Sequence, residues 1–476
     1  MIIHVRILSS KEESVTVGAA LDVRAARELV EGIPPYISFR TVAELDESSR
    51  RLAEKYPNTV ELRTIGESSE DREITALVIG EGDKSAFMYG FTHPNEPIGS
   101  LTIEYLASRL AASAELRKKL GYRFILAKVI DVDGARLNEG WFRGPFDLLT
   151  YAENYYRPPP NEQAEWTFPI DYKTLHWHTP NPETRAIKKI VDEFKPEFTY
   201  ILHNADFCGV YYYLSHELPS AYPELQNIPV SEGLPLHKGE PPDEPYLKSL
   251  DEGIYHDYGA TDEYDFLSTT LGCDPVTRID YGTCCYEYIK RMYGGFSLTC
   301  ELPYFYDKRI MDTTPVQSRR RDLLLESLKI EEDTRSLINH VLKESHEMLN
   351  VNSRIYRSIQ YLVSSWPETE ETTRKHSEDQ AFDRAATTAE AFDLTVLKRF
   401  SQMPPLGMMG RLLNEAEAGR RSQKLGQLRE EVRSRLMQLN TDISQESNPQ
   451  VIPIRTLVRI QLQSAIVCLR HLESRK

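Results

Sequence analysis

The chain has 476 residues, 40% of them hydrophobic and 27% charged, so it is long enough to bury a large core without disulfides or structural metals. Its formal net charge of −15 has the wrong sign for a nonspecific nucleic-acid binder. No apolar run approaches the roughly 18 residues of a membrane span, and the apolar start at 1–6 is too short for a signal peptide. The six cysteines form no CxxC pair, which is typical of reduced thiols. We therefore expect a cytoplasmic protein that binds neither nucleic acid nor membranes.

In the first two thirds of the chain, strand patterns alternate with helix patterns. The predicted helices cover 19–31, 41–56, 98–110 and 182–194, and the predicted strands cover 60–65, 74–79, 84–91, 123–132 and 198–202. This alternation predicts an α/β fold in which a mixed β-sheet is flanked by helices. Residues 140–180 and 218–246 are rich in proline and aromatic residues, and we expect them to form long ordered loops on this core.

After Pro303 the strand patterns nearly disappear. Apolar residues at helical spacing and many Glu/Arg pairs predict helices at 316–349, 378–401, 411–439 and 455–472. We therefore divide the chain into an N-terminal leader (1–35), an α/β domain (36–308) and a helical C-terminal region (309–476). We expect most of the C-terminal region to be dispensable for metal binding and to serve self-association or the shape of a cleft.

The first candidate functional segment lies between a predicted strand and a predicted helix. It reads Phe91-Thr-His-Pro-Asn-Glu-Pro97, and loops at the carboxyl ends of strands line the ligand crevice of α/β sheets. His93 and Glu96 are three residues apart across a tight turn, so they can offer one imidazole and one carboxylate to a zinc ion. A helix-capping loop with an exposed histidine has the same pattern, so the spacing alone leaves both interpretations open.

Two further residues stand at the ends of apolar strands. One predicted strand delivers His203 to its carboxyl end, and another carries Glu301 just before Pro303. A buried carboxylate is costly unless it is paired or its pKa is raised, so Glu301 is a candidate functional group. The alternatives are a hydrogen-bonded histidine at a strand end and a salt-bridged structural glutamate.

These segments, in this order, resemble the zinc carboxypeptidase (metallocarboxypeptidase A-like) family. The stretch Asp131-Val-Asp-Gly134 looks like the Asn-Pro-Asp-Gly turn of the family, and Pro182-Glu-Thr184 looks like its Pro-Glu-Thr helix start. The resemblance spans residues 36–308. It implies the fold of that family, whose sheet is closed by a C-terminal helix, and 316–349 is the candidate for that helix here.

The resemblance also implies one zinc ion per chain and a set of residues around it. His93, Glu96 and His203 would be the ligands and would leave a fourth position for water, whose pKa zinc lowers towards about 7. Glu301 would act as general base on that water and then return the proton to the leaving amine.

The resemblance also implies arginine side chains that bind the negatively charged groups of the substrate. Arg143 lies nearest to the family's oxyanion-stabilising arginine, with Arg136 as the alternative. The family binds the substrate carboxylate with an adjacent Asn-Arg pair, but here the nearest match is Asn154-Tyr-Tyr-Arg157, which departs from that pattern. Tyr281 lies about where the family keeps a mobile tyrosine over the substrate; its alternative is plain ring packing.

The resemblance implies a zinc-dependent hydrolase that cleaves an amide or peptide bond next to a free carboxylate. The substrate would be a peptide or an N-acyl amino acid. Two alternatives remain open: an aspartoacylase-like deacylase of a small N-acyl amino acid, and a zinc-loaded scaffold whose helical region binds a partner. Glu301 argues against the scaffold, because a scaffold has no use for a buried base.

Overall fold

The structure is a computed structural model that describes residues 23–238, 247–419 and 422–474. Most of the predicted leader, residues 1–22, lies outside the described residues, as do residues 239–246 of the second predicted loop. The first described element is therefore the helix that begins at Val23.

Strands and short strands are numbered here in chain order. They are β1 (Val60–Glu67), β2 (Glu73–Ile79), β3 (Ser85–Tyr89), β4 (Arg123–Ala127), β5 (Ile170–Tyr172), β6 (Leu175–Trp177), β7 (Phe198–Leu202), β8 (Ala205–Phe207), β9 (Tyr211–Leu214), β10 (Ser249–Asp251), β11 (Ile254–His256), β12 (Phe296–Glu301), β13 (Pro303–Tyr306), β14 (Pro315–Arg319), β15 (Ala385–Thr387) and β16 (Gln450–Val451). Nine of them form the central sheet in the order β1-β2-β4-β3-β7-β12-β9-β11-β10. The sheet is mixed: β4, β3, β7 and β12 run parallel, whereas β9 is antiparallel to β12.

The helices are numbered in the same way. They are α1 (Val23–Glu31), α2 (Val42–Lys55), α3 (Ile98–Ala112), α4 (Ala114–Leu120), α5 (Val132–Asn138), α6 (Leu148–Asn154), α7 (Pro182–Phe194), α8 (Tyr222–Ser231), α9 (Ala260–Phe266), α10 (Cys285–Tyr293), α11 (Arg320–Ser345), α12 (Arg354–Glu378), α13 (Thr388–Phe392), α14 (Lys398–Ser401), α15 (Met403–Gly419), α16 (Gln423–Glu446) and α17 (Ile454–Glu473). Local sequence sets several of their starts. Thr41 and Glu44 form a reciprocal capping box at α2, and Asn181 caps α7 just before its first residue, Pro182.

Helices cover both faces of the central sheet. Tyr89 of β3 stands opposite Ile201 of β7. Tyr212 of β9 and Leu202 of β7 both stand opposite Cys300 of β12, so Tyr212 and Leu202 point to the same face of the sheet. Neighbouring residues of a strand point to opposite faces, so the two tyrosines do as well. Tyr212 meets Ser464 of α17, and Tyr89 lies beside the thiol that begins α10. The predicted mixed sheet flanked by helices, with a helical C-terminal region, is confirmed.

Several predicted elements differ from the observed ones. The strand predicted at 123–132 ends at Ala127, and α5 follows it. The predicted loops contain α6, α8 and the β5–β6 hairpin. The helix predicted at 378–401 is interrupted by β15, and the one predicted at 411–439 is parts of α15 and α16. Helix α12 was not predicted; Pro367 lies inside it, and a proline within a helical pattern argues against a helix.

The helix that closes the sheet is α17, so the prediction of 316–349 for that role is wrong. Helix α11, which occupies that segment, packs against α12, α14 and α16. Helix α17 packs on α3 and α8 and contacts β7 and β12, and twelve of its residues, among them Leu457 and Cys468, are buried. One hydrophobic cluster runs from Leu29 to Leu469. The domain limits at 35 and 308 stay a prediction, and the core is continuous across the second limit.

Two further observations concern the cysteines and the long helices. All six cysteines lie among the described residues, and each is a free thiol. Within the described ranges, no helix combines the length and the apolar character that crossing a membrane requires.

Candidate active site

Three neighbouring parallel strands deliver the candidate residues to one edge of the sheet. His93 and Glu96 lie in the turn between β3 and α3, His203 follows β7 directly, and Glu301 is the last residue of β12. The order β3-β7-β12 brings these carboxyl ends together, as expected for an open α/β sheet. Gly99 lets α3 start close to β7, because a Cβ there would lie 2.5 Å from the Cβ of Leu202.

The two histidines and Glu96 face a common point. Nδ1 of His93 lies 2.9 Å from Oε1 of Glu96, and Nδ1 of His203 lies 3.0 Å from Oε2 of the same carboxylate. The two Nδ1 atoms are 3.2 Å apart. All three side chains are buried, so the polar atoms of this cluster are shielded from bulk water.

The turns that carry these residues are held by hydrogen bonds between buried groups. The hydroxyl of Tyr304, with its single hydrogen, lies within hydrogen-bonding distance of two acceptors, the carbonyl of Asn95 (2.9 Å) and Oδ1 of Asn204 (3.2 Å). Asn204 also donates its backbone N–H to Oε2 of Glu96 at 3.2 Å. Because Asn95 and Asn204 each adjoin a member of the cluster, Tyr304 ties the two turns together.

A second carboxylate, Glu165, lies on the opposite edge of both imidazoles. Its Oε2 is 2.9 Å from Nε2 of His93, and its Oε1 is 3.3 Å from Nε2 of His203. One ligand-type atom from each of these three residues lies within 4.8 Å of the others. The histidines are therefore flanked by Glu96 at Nδ1 and by Glu165 at Nε2.

The charges in this cluster are strongly coupled. Burial lowers the pKa of His203, but Glu165 and Glu96 outweigh burial and raise that pKa well above its ordinary value. Burial raises the pKa of each carboxyl, but the two histidines outweigh it and hold the pKa of Glu96 and of Glu165 below the usual range. The two carboxylates are therefore ionised and favour positive charge between and beside them.

Two further charged residues border the cluster. Oε1 of Glu301 lies 4.0 Å from Nδ1 of His203, and 14% of the Glu301 side chain is exposed. Nη1 of Arg157 donates to Oε1 of Glu96 at 3.3 Å, and its Nη2 lies 2.9 Å from Nδ1 of His93. The Arg157 side chain is about one-third exposed, so it borders the buried cluster on the side that solvent reaches.

The sequence model of the zinc carboxypeptidase family matches residues 45–145, the stretch that carries His93 and Glu96. This match covers the first part of the predicted α/β domain and is consistent with a divergent relative of that family. Solved structures similar to it include a candidate metallopeptidase from Shewanella amazonensis SB2B, with 12% identity and a TM-score of 0.38 over 55% of this chain and 84% of that one. Carboxypeptidase A from Helicoverpa armigera has 17% identity and a TM-score of 0.36 over 57% of this chain and 66% of that one. The metallo-carboxypeptidase from Burkholderia cenocepacia has 17% identity and a TM-score of 0.32 over 56% and 60%. A comparison with curated proteins finds no match.

The donor set fits the zinc ion that this family implies. Tetrahedral zinc with bonds of about 2.0–2.1 Å separates its ligand atoms by about 3.3 Å, close to the 2.9–3.2 Å among His93, Glu96 and His203. A histidine binds a metal as the neutral imidazole; in that state the carboxylates of Glu96 and Glu165 carry two negative charges, and Arg157 offsets one of them. A cation between the histidines would balance this buried charge.

Four residues that the family resemblance pointed to, with the alternative Arg136 counted among them, lie elsewhere. Arg143 is exposed, donates to Ser38 and pairs with the Glu44 side chain in the first turn of α2, away from the candidate ligands. Asn154 donates its side-chain amide to the Thr150 carbonyl at 2.8 Å. The structure brings neither of these two to the cluster, because each is engaged by its own neighbourhood.

The other two outlying candidates also make structural contacts. Tyr281 donates its hydroxyl to Glu263 at 2.6 Å, and its ring lies 5.9 Å from that of Trp166. Trp166 directly follows Glu165, so Tyr281 packs against the neighbour of Glu165. The alternative oxyanion residue, Arg136, is exposed on α5. Of the predicted set, the structure brings together the three ligand candidates, Glu301 and Arg157.

Sequence reasoning missed Glu165. It has no spacing signal, because it lies 69 positions after Glu96 in a loop and not at a strand end. A signal was nevertheless present: Ala164-Glu-Trp-Thr-Phe168 places an acid inside an apolar and aromatic run. The same reasoning that singled out Glu301, the cost of burying a carboxylate, applies to this residue.

Proposed function

We propose that the protein is a zinc-dependent hydrolase that cleaves an amide or peptide bond next to a free carboxylate. The observation that carries this proposal is the meeting of two imidazole Nδ1 atoms and one carboxylate at the carboxyl ends of adjacent parallel strands. The match of residues 45–145 to the model of the zinc carboxypeptidase family supports the same chemistry.

In this proposal His93, Glu96 and His203 hold the metal. When bound, zinc supplies Lewis-acid chemistry, since it lowers the pKa of a water molecule towards about 7 and polarises a carbonyl. Glu165 lies 2.9 Å from Nε2 of His93 and 3.3 Å from Nε2 of His203, so it favours the tautomers whose Nδ1 lone pairs are directed at the metal. Such outer carboxylates fix the tautomer and orientation of metal-binding histidines.

Glu301 is the proposed general base. Its carboxylate lies next to the ligand His203, is mostly buried and still has an exposed fraction through which water and substrate can reach it. It accepts a proton from the attacking water and delivers it to the leaving nitrogen. General acid–base catalysis of this kind contributes about 10²–10⁴-fold to a rate.

Arg157 is the proposed cation for the substrate. A guanidinium binds a carboxylate or a developing oxyanion through parallel hydrogen bonds. Because the structure engages Arg143 with Glu44, Arg157 is the arginine that touches the ligand set.

A second function remains a candidate for a specific reason. The family's Asn-Arg carboxylate pocket is not reproduced, since Asn154 binds the Thr150 carbonyl and leaves Arg157 to act alone. A small N-acyl amino acid would need fewer contacts than a peptide terminus, as in an aspartoacylase-like deacylase.

One screen tests both functions. Zinc-loaded protein is incubated with dipeptides and N-acyl amino acids, and the products are identified by mass spectrometry. Release of a C-terminal amino acid from peptides supports the peptidase, and release of an acyl group alone supports the deacylase. No turnover of either class by protein with a full zinc complement would contradict the hydrolase proposal.

A further inference from the structure

The loop from residue 154 to 165, here called the 154–165 loop, carries two residues of the candidate site. Arg157 and Glu165 both contact the metal-ligand histidines from it. Residues 155–159 belong to no helix or strand, and prolines at 158–160 provide no backbone N–H for a regular ladder. What holds this loop therefore decides where its two charged side chains lie.

The carbonyls of five consecutive residues in the loop all accept hydrogen bonds from side chains. The α/β part supplies two donors: Asn138 binds the carbonyl of Tyr156 at 2.9 Å, and Gln163 binds that of Pro158 at 2.8 Å. The other three carbonyls, those of residues 154, 155 and 157, are bound by side chains of the C-terminal region.

Arg411 of α15 binds two of these carbonyls. Its Nη1 donates to the carbonyls of Asn154 and Tyr155, each at 3.1 Å. Burial lowers the pKa of this arginine, so its placement is costly and needs such acceptors. Helix α15 reaches the loop because Gly407 lacks a side chain; a Cβ there would lie 1.8 Å from the carbonyl oxygen of Ala152.

Helix α12 binds the next part of the loop. The hydroxyl of Ser358 donates to the carbonyl of Arg157 at 2.6 Å. Arg357 forms a two-pronged pair with Glu162, at 2.6 and 3.0 Å. Two consecutive residues of one helix thus hold the loop on both sides of its proline run.

We infer that α12 and α15 of the C-terminal region are positioning elements of the active site, which act by fixing the backbone of the 154–165 loop. Arg411 and Ser358 are positioning residues, and they act through Arg157. The consequence for substrate binding rests on the function proposed above, whereas the consequence for loop order does not.

The test compares loop order in the zinc-loaded full-length protein and its variants by hydrogen exchange with mass spectrometry. Arg411→Met removes both hydrogen bonds that Nη1 of Arg411 makes to the loop. Ser358→Ala removes one hydrogen bond with little change in side-chain volume. Because each lost bond releases a carbonyl of the loop, amides of peptides covering 154–165 should exchange about tenfold faster in Arg411→Met. The acceleration should be smaller in Ser358→Ala, and Arg411→Lys should restore part of the protection.

Arg335→Met is the matched control. Arg335 pairs with Glu370 between α11 and α12 at 2.6 Å, so its loss weakens the C-terminal region without removing a bond to the loop. We expect unchanged exchange in the loop for this variant and near-equal zinc content in all four. Once a substrate is known, Arg411→Met should raise KM about tenfold and change kcat less, because ground-state binding is lost.

Loop exchange equal to wild type in both Arg411→Met and Ser358→Ala would overturn the inference. So would equal acceleration in Arg335→Met, since that would mean general loosening. Neither result depends on turnover, so failure of the proposed hydrolase leaves this test intact.

Discussion

The turns that carry the proposed metal ligands and the 154–165 loop meet at one site but are held by different means. His93, Glu96 and His203 lie at the ends of adjacent parallel strands, and their positions follow from the sheet. Arg157 and Glu165 lie on a loop whose carbonyls are bound by side chains from helices 200 residues or more further along the chain. A local sequence pattern can therefore identify the residues at the strand ends. The positions of the loop residues depend on contacts that form only when distant parts of the chain pack together.

The largest expected effect concerns Glu301, which belongs to the group held by the sheet. Glu301→Gln keeps the size of the side chain but cannot accept a proton. We expect turnover to fall by about 10²–10⁴-fold while zinc content and melting temperature stay near wild type. Kinetics, metal analysis and thermal unfolding of one preparation check this, with the exposed Glu61→Gln as control. A variant that loses stability instead would make Glu301 a structural ion-pair partner.

Glu165 sharpens the comparison because it links the loop to the ligands. Glu165→Gln replaces a charged carboxylate, whose two oxygens face the two Nε2 atoms, by a neutral amide with a single acceptor oxygen. Zinc affinity should weaken by about 10–100-fold, as for other outer carboxylates, measured by competition with a chelator. Glu162→Gln is the matched control from the same loop, since Glu162 pairs with Arg357 and not with a histidine. If Glu165→Gln removed all zinc and Glu96→Gln removed none, the metal would lie on the Nε2 side.

The candidate site shows which features can be predicted from the sequence alone. The strand-end position of His203 and the turn of His93 and Glu96 could be predicted, because apolar strands and short loops leave a local pattern. The ion pair between the exposed Arg143 and Glu44 could not be predicted, because ion pairing across the fold has no sequence period. Likewise α17 could be predicted as a helix, but its packing on the sheet depends on which apolar face fits there.

The smallest expected effect tests the junction between the α/β part and α12. Asp131 accepts a bond from the Gly134 N–H and lies 3.9 Å from Nη1 of Arg354. Burial, with the charge of Glu183, raises the pKa of Asp131 from 3.8 to about 7. The folded state thus favours the neutral form, and this contribution to stability is present below about pH 4 and is lost as the pH rises to about 7.

Asp131→Asn cannot ionise and still accepts the Gly134 bond. Its melting temperature relative to wild type should therefore rise by about 2–4 °C between pH 4 and pH 8. Asp147 also accepts a backbone N–H, at the start of α6, so Asp147→Asn is the control for replacing a capping aspartate. A difference that stayed constant with pH would mean that Asp131 is ionised in the folded protein throughout.

The central claim is that His93, Glu96 and His203 hold one zinc ion, and the most direct test is the metal content of purified His203→Ala beside wild type. Elemental analysis after dialysis should give close to one zinc per wild-type chain and a small fraction of that in the variant. Circular dichroism should show that the variant keeps its helices, because the sheet does not need the imidazole to form. Zinc content unchanged in a folded His203→Ala protein would contradict the account, since His203 would then lie outside the metal site.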